Sequence, residues 1–343
     1  MAGTILTAEF NPMGKKARIC IIGNGKFANA VHYPSLTSLE NAEIAGICAF
    51  NEEHLKETAN RYRITAGSIY AARSRYDYQE MLKTIQPDGV YVIGQPEQMY
   101  EIWIWCLENK FNLFIEKPMG MTMHQAETLA WLAGKNSCIT QVSHQRRSAP
   151  LLRKMREECL KRGPVTHAVV EFNKCDIKPF PGQRDRMLDD YTHAIDTARW
   201  VCGGEVIKIE SHCRRILVPD INWIGATLYF DNGSVCFVIG SWTSGRRIFR
   251  VNMHAPGICA EVDPEREAFL YKDGNYEGEK FDAGMVSGNA GELWRYGGFR
   301  EKSEEFINSI LIGKEVTSSP FSDTLKTMRV CETILARAII EGT

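Results

Sequence analysis

The turn Gly23-Asn24-Gly25-Lys26-Phe27-Ala28 follows at once on an apolar run, Ala17-Arg18-Ile19-Cys20-Ile21-Ile22, and this junction constrains the fold more than any other stretch. Run and turn together read as a buried strand, a tight Gly-x-Gly-x-x-Ala bend and a helix from Phe27 to about Leu39. The first glycine permits the bend, and the second lets a pyrophosphate approach the backbone. The small Ala28 lets the helix pack closely on the strand, with its N-terminus facing the phosphates. Gly23, Gly25, Lys26 and Phe27 are therefore candidate cofactor contacts; a plain strand-turn-helix is the alternative.

A β-α alternation continues from that point. Ile44 to Cys48 and Val90 to Ile93 read as buried strands; a helix from Tyr100 to Asn109, a strand at Leu113 to Ile115, a helix from Met123 to Lys135 and a strand at Ser137 to Val142 follow. This pattern predicts a parallel sheet with helices on both faces. The second strand ends in Ala49-Phe50-Asn51, where such folds often place a carboxylate against the adenosine ribose. Its absence removes repulsion against a 2′-phosphate, so the expected cofactor, NAD(P), tilts slightly toward NADP(H), with Ala49 and Asn51 as candidate contacts. Arg61 or Arg63 on the next helix could reach the same place, or form a solvated face. Gln95 and Pro96 stand at a later strand end and are further candidates.

The stretch Phe114-Ile115-Glu116-Lys117-Pro118 closes its strand with a carboxylate, an ammonium and a proline. Proline removes a ladder donor and holds its predecessor extended, so Lys117 is presented at the strand end. Ligands of open α/β sheets bind at such ends, which makes Glu116 and Lys117 site candidates.

Beyond Pro150 the pattern changes. A basic helix, Leu151 to Lys161, leads to a strand at Thr166 to Phe172. Later alternating runs, Ile224 to Phe230, Ser234 to Trp242 and Phe249 to Met253, with turns at Asp231-Asn232-Gly233 and Gly245, read as an antiparallel sheet with one face covered. The expected fold is α/β plus α+β: an N-terminal Rossmann dinucleotide-binding domain and a C-terminal domain with a large open, mainly antiparallel sheet. The expected boundaries are a leader at 1–16, the Rossmann domain at 17–144, a substrate-binding and oligomerisation domain at 145–320 and a C-terminal helix at 321–343. A chain of 343 residues accommodates two such cores.

Lys plus Arg (41) nearly cancel Asp plus Glu (42), leaving no basic excess for nucleic acid or an anionic membrane surface. Eleven cysteines without Cys-x-x-Cys pairs favour free thiols and a cytoplasmic location. Neither a signal peptide nor a membrane span is expected. The open sheet should bury its uncovered face in a homodimer or homotetramer.

The chemistry concentrates in Met187 to Trp200. Asp189, His193 and Asp196 fall at i, i+4 and i+7, so one face of a helix would carry an imidazole between two carboxylates, suited to acid-base work near neutral pH. A packed, hydrogen-bonded histidine with incidental acidic neighbours is the alternative. A metal site would need a further His or Cys nearby, and no metal ligand is assigned.

These features together resemble the Gfo/Idh/MocA family, the glucose-fructose oxidoreductase and inositol dehydrogenase group of NAD(P)-dependent sugar and polyol oxidoreductases. The resemblance rests on Gly23-x-Gly25-x-x-Ala28, Glu116-Lys117-Pro118, Arg146-Arg147, Asp189-x3-His193-x2-Asp196 and the late Phe299 to Asp323 segment. It implies that Lys117 and His193 meet in a cleft at the nicotinamide end of the cofactor with Asp189 beside them. His193 would then be the proton acceptor or donor, Lys117 the stabiliser of the substrate oxygen, and Asp196 structural. The implied substrate is a small sugar, cyclitol or related polyol, with a non-catalytic NAD(P)- or sugar-binding regulator and an NAD-dependent glycosidase as alternative functions. Arg146 is a candidate for cofactor or substrate oxygen; Asn173, Lys174 and Asp176 are weaker candidates at a cleft-facing strand end. The chain departs from the family pattern at Gln95, Tyr100 and Tyr191. Tyr191 replaces a usual glycine and is expected to add bulk at the substrate mouth.

Overall fold

The computed structural model describes residues 14–180, 185–288 and 291–342, without the side chains of Ala66 and Asp189. Most of the expected leader at 1–16 lies outside the described residues. Two sheets organise the rest. The first contains β1 (Ala17–Ile22), β2 (Ala42–Ala49), β3 (Ile69–Ala71), β4 (Gly89–Val92), β5 (Leu113–Ile115) and β6 (Thr140–Val142) in the order β3-β2-β1-β4-β5-β6. Every pairing in it is parallel. The strands β4 and β5 are buried throughout, as a parallel sheet between two helical layers requires. The strand order reverses between β1 and β4, where a crevice opens at the carboxyl ends.

The second sheet contains β7 (His167–Cys175), β8 (Val206–Arg214), β9 (Trp223–Phe230), β10 (Val235–Ser241), β11 (Thr243–Ala255), β12 (Ile258–Asp263), β13 (Glu267–Lys272) and β14 (Glu279–Asp282). Its order is β14-β13-β12-β11-β7-β10-β9-β8, antiparallel except where β7 lies parallel to β10. Alternate burial along β9 shows one face packed and one open. The Asp231-Asn232-Gly233 turn joins β9 to β10 with Gly233 at φ 85°. Gly245 does not make the expected turn: it lies inside β11, where the pairing with β7 shifts register between Thr243 and Ile248. A glycine with no side chain to pack accommodates that irregularity without reversing the chain.

The C-terminal segments tie the two sheets together. Helix Phe299–Ile312, expected in the second domain, returns to the first: Phe306 and Ile307 share a core with Tyr91 and Phe114. The expected 145–320 unit is therefore not all in one domain. Thr317 to Ser319 then cover the edge of β6, with Val142 N donating to Ser319 O at 3.0 Å. Helix Phe321–Ile340 packs Phe321 and Met328 against Ala126 and Leu129 of the first domain, and Ile334 and Ala338 into the core of the second. All eleven cysteines are unpaired, and no described helix is long and apolar enough to cross a membrane.

Candidate functional site

A groove of about 1110 Å³ lies over the carboxyl ends of the first sheet. It is lined by Gly23, Gly25, Lys26 and Phe27 from the first turn, Ala49 and Asn51 after β2, Gln95 and Pro96 after β4, and Glu116 and Lys117 after β5. Every sequence-predicted cofactor residue except Arg146 is thus brought to one cavity. Gly23 has φ 108°, and a Cβ there would lie 1.9 Å from the Ile93 carbonyl, so only glycine fits. A Cβ on Gly25 would meet nothing within 4 Å, which leaves open space over the backbone where a ligand can approach. The helical stretch after the turn is wound as a π-helix at Ala28–His32 before continuing as Tyr33–Thr37.

At the other end of the groove, Asn51 is the N-cap of helix Glu52–Tyr62, its Oδ1 accepting from His54 N at 2.9 Å. His54, Ser74 and Arg75 share this lining, whereas Arg61 and Arg63 do not. Arg75 pairs with Glu101 at the groove edge. Nothing in the local sequence distinguishes Ser74 and Arg75, because they reach the groove only through the parallel pairing of β3 with β2.

The inner end is built by residues after β5. Glu116 is buried and pairs with His32 Nε2 at 2.7 Å, a contact across 84 positions that the sequence gives no sign of. The Lys117–Pro118 peptide is cis. Lys117 Nζ lies 3.9 Å from Asp190 Oδ1 of the second domain, and Asp190 also pairs with Lys174 from the end of β7. Asp190 stands on a π-helical turn, Met187–Tyr191, that leads into helix Thr192–Cys202 carrying His193. The side chain of Asp189 lies outside the described residues.

His193 is buried, its ring edge-on to His144 with centroids 5.9 Å apart. Burial, reinforced by the positive charges of Lys117, Arg146 and Lys174 and by His144, holds its pKa well below the ordinary histidine value. The imidazole is therefore neutral at pH 7 and able to accept a proton. Among the described residues no hydrogen bond joins Asp196, three residues on in the same helix, to the His193 ring. Instead Asp196 takes a bidentate pair from Arg147, Nε to Oδ2 at 2.6 Å and Nη2 to Oδ1 at 2.5 Å, and accepts from Thr327 Oγ1 at 2.9 Å. Burial opposes the Asp196 charge, but Arg147 and His144 outweigh it and keep the carboxyl below the usual range.

Tyr191 corrects another expectation. It is fully buried, its hydroxyl donating to Val238 O at 3.0 Å, and its ring lies over Gly240, where a Cβ would come within 2.3 Å of it. It fills the core of the second domain rather than the substrate mouth, since the π-winding turns it toward the sheet. Arg146 lies away from the cofactor groove: its Nη1 donates to Glu265 Oε1 at 2.8 Å and its guanidinium stacks over Phe249 at 4.0 Å. Asn173 is buried at the end of β7, and Asp176 pairs with Arg186 at 3.1 Å. His32, His144, Asp190, Arg247 and Glu265 were not singled out by sequence; each is isolated in its own segment and acquires a place only through tertiary contact.

Crevice and glycine turn at the carboxyl ends of a parallel sheet are the features of a dinucleotide-binding Rossmann fold. Residues 17–144 match the Gfo/Idh/MocA family, described as an oxidoreductase family with an NAD-binding Rossmann fold. The D-glucoside 3-dehydrogenase of Escherichia coli is 27% identical over 207 residues, covering 56% of this chain and 55% of that protein. A dehydrogenase from Chromobacterium violaceum has a similar structure, with TM-score 0.82 and 19% identity over 96% of this chain and 97% of that one. So does a Gfo/Idh/MocA family oxidoreductase from Vibrio cholerae, with TM-score 0.79 and 16% identity over 94% of this chain and 100% of that one.

Proposed function

We propose that the protein is an NAD(P)-dependent dehydrogenase or reductase acting on a secondary hydroxyl or keto carbon of a sugar, cyclitol or related polyol. The observation that carries this reading is the approach of Lys117, at the inner end of the groove, to the segment bearing Asp190 and His193. The similarity to a D-glucoside dehydrogenase supports the substrate class.

The groove fits a dinucleotide at the point where fit is most demanding, since the Gly25 backbone is open to a pyrophosphate that any Cβ would obstruct. Gly23, Gly25, Lys26 and Phe27 would hold the phosphates, Ala49 and Asn51 the adenosine ribose, and Gln95, Pro96 and Glu116 the nicotinamide half. The bound cofactor supplies hydride transfer. His193, neutral because it is buried among cations, takes the hydroxyl proton in oxidation and returns it in reduction. Lys117 stabilises negative charge developing on the substrate oxygen, and Asp190 positions its ammonium. Glu116 is held by His32, which fixes the strand end from which Lys117 projects.

The purified enzyme should change nicotinamide absorbance when given a polyol or ketose. His193→Ala and Lys117→Met should each lower kcat/KM by about 10²–10⁴-fold; rates within about tenfold of wild type would refute the assigned roles. Asn51 in place of a carboxylate, with Ser74 and Arg75 lining the same end, supports NADP(H) over NAD(H). Tighter binding of NADP⁺ than NAD⁺, lost in Arg75→Ala, is the expected calorimetric result. The open face of the second sheet supports a homodimer or homotetramer, which light scattering at micromolar concentration tests.

A further inference from the structure

The ring of Phe172, centred 6.4 Å from that of His193, gathers three cations from three separate segments. Lys174 Nζ and the Arg247 guanidinium each lie 5.7 Å from its centroid, and the Arg146 guanidinium lies 5.9 Å away. They come from the loop after β6, the end of β7 and the irregular start of β11. The side chains of Lys174 and Arg247 are 31% and 45% exposed, so a solute can reach them, while Arg146 lies beneath at 7%.

The described carboxylates in this cluster are already engaged. Glu265 serves both arginines, at 2.8 Å from Arg146 Nη1 and 2.9 Å from Arg247 Nη2. Asp190 holds Lys174 and lies near Lys117, and Asp263 accepts from the Glu265 backbone at 3.1 Å. Arg146 Nε is buried and has no acceptor among the described residues. A buried guanidinium with an unused donor costs stability unless an acceptor arrives, and arginine's fork suits a carboxylate or phosphate above other acceptors.

We propose that the substrate carries an anionic group, a carboxylate or a phosphate, close to the carbon that is oxidised, and that Arg146, Lys174 and Arg247 around Phe172 bind it. The proposal rests on the oxidoreductase reading and narrows its substrate class from sugars in general to acidic or phosphorylated ones. The two sources share one recognition chemistry, two or more anionic oxygens facing converging N–H donors.

The full-length protein with saturating NAD⁺ or NADP⁺ is assayed on matched compounds: neutral hexoses, their uronic acids and their phosphate monoesters. The expected kcat/KM for an anionic member is at least about 100-fold above that of its neutral parent, the worth of one or two charge-assisted hydrogen bonds. Preference for the uronate identifies a carboxylate, and preference for the ester a phosphate. Arg247→Gln should cut the anionic-to-neutral ratio by about tenfold or more, chiefly through KM. Neutral sugars used as well as both anionic forms, or an unchanged ratio in Arg247→Gln, would overturn the proposal. If no sugar at all is oxidised, the oxidoreductase reading fails, and thermal unfolding of the cofactor-loaded protein decides this point separately. Stabilisation by uronates or phosphate esters but not by neutral sugars supports the anion site, and equal or absent stabilisation overturns it.

Discussion

Lys117 and Asp190 approach to 3.9 Å across the cleft between the two sheets. The lysine comes from a strand end of the dinucleotide-binding domain, and the carboxylate from a π-helical turn of the other domain. Asp190 also holds Lys174, so one carboxylate stands between two ammonium groups.

Asp190→Asn should therefore weaken catalysis without unfolding the protein. With the charge removed, the two lysines repel, and Lys117 shifts from the position proposed for it at the substrate oxygen. A misplacement of this kind is expected to lower kcat/KM by about 10²-fold. Without the Asp190 carboxylate the charges of Lys117 and Lys174, both of which depress the His193 pKa, are uncompensated, so the acid limb of the oxidation profile should move to lower pH. A structural role alone would leave that limb in place.

The glycine turn separates folding from binding. Gly23→Ala forces a Cβ to 1.9 Å from the Ile93 carbonyl at a positive φ, and the melting temperature should fall. Gly25→Ala meets nothing in the protein, so its melting temperature should match wild type while cofactor affinity, measured by calorimetry, drops by about tenfold or more. Equal cofactor affinity in Gly25→Ala would remove the pyrophosphate from this turn.

The Arg147–Asp196 pair is buried and bidentate. Asp196→Ala leaves Arg147 without its main partner and should cost about 3–5 kcal/mol in urea unfolding. Asp323 and the Ser318 carbonyl, both 2.7 Å from Arg147 Nη1, will recover part of this. The double replacement Arg147→Met with Asp196→Leu should be milder than the single one, since it leaves no unpaired buried charge.

His144 makes stability sensitive to acid. Burial pushes its pKa down from 6.5 to about 4, opposed by Asp196 and reinforced by Arg147. Between those values the unfolded chain binds a proton that the folded one does not. Stability from this group is fully present above about pH 6.5 and is lost as pH falls toward 4, by up to about 3 kcal/mol. Unfolding free energies measured across this window should fall less steeply in His144→Asn. An identical slope in the variant would show that another group is responsible.

The parts legible in sequence are those fixed by neighbours in the chain. The Gly23 to Ala28 turn, the apolar runs of β1, β4 and β5 and the hairpin at Asp231-Asn232-Gly233 depend on local geometry and periodic burial, and each appears where expected. The spacing Asp189, His193, Asp196 assumed one continuous α-helix. A π-helical turn at Met187–Tyr191 inserts an extra residue per turn, which changes the phase before His193 and buries Tyr191 in the core.

Sequence by itself determined a Gly-x-Gly-x-x-Ala turn after the first strand, a lysine at a strand end and an open, mainly antiparallel sheet, because backbone sterics and hydrophobic period act over a few residues. Tertiary structure alone decided that His32 holds Glu116, that Asp190 faces Lys117, that Asp196 belongs to Arg147, and that cations from three segments surround Phe172. Charge pairing and burial depend on distances between segments far apart in the chain, and no local pattern encodes those distances.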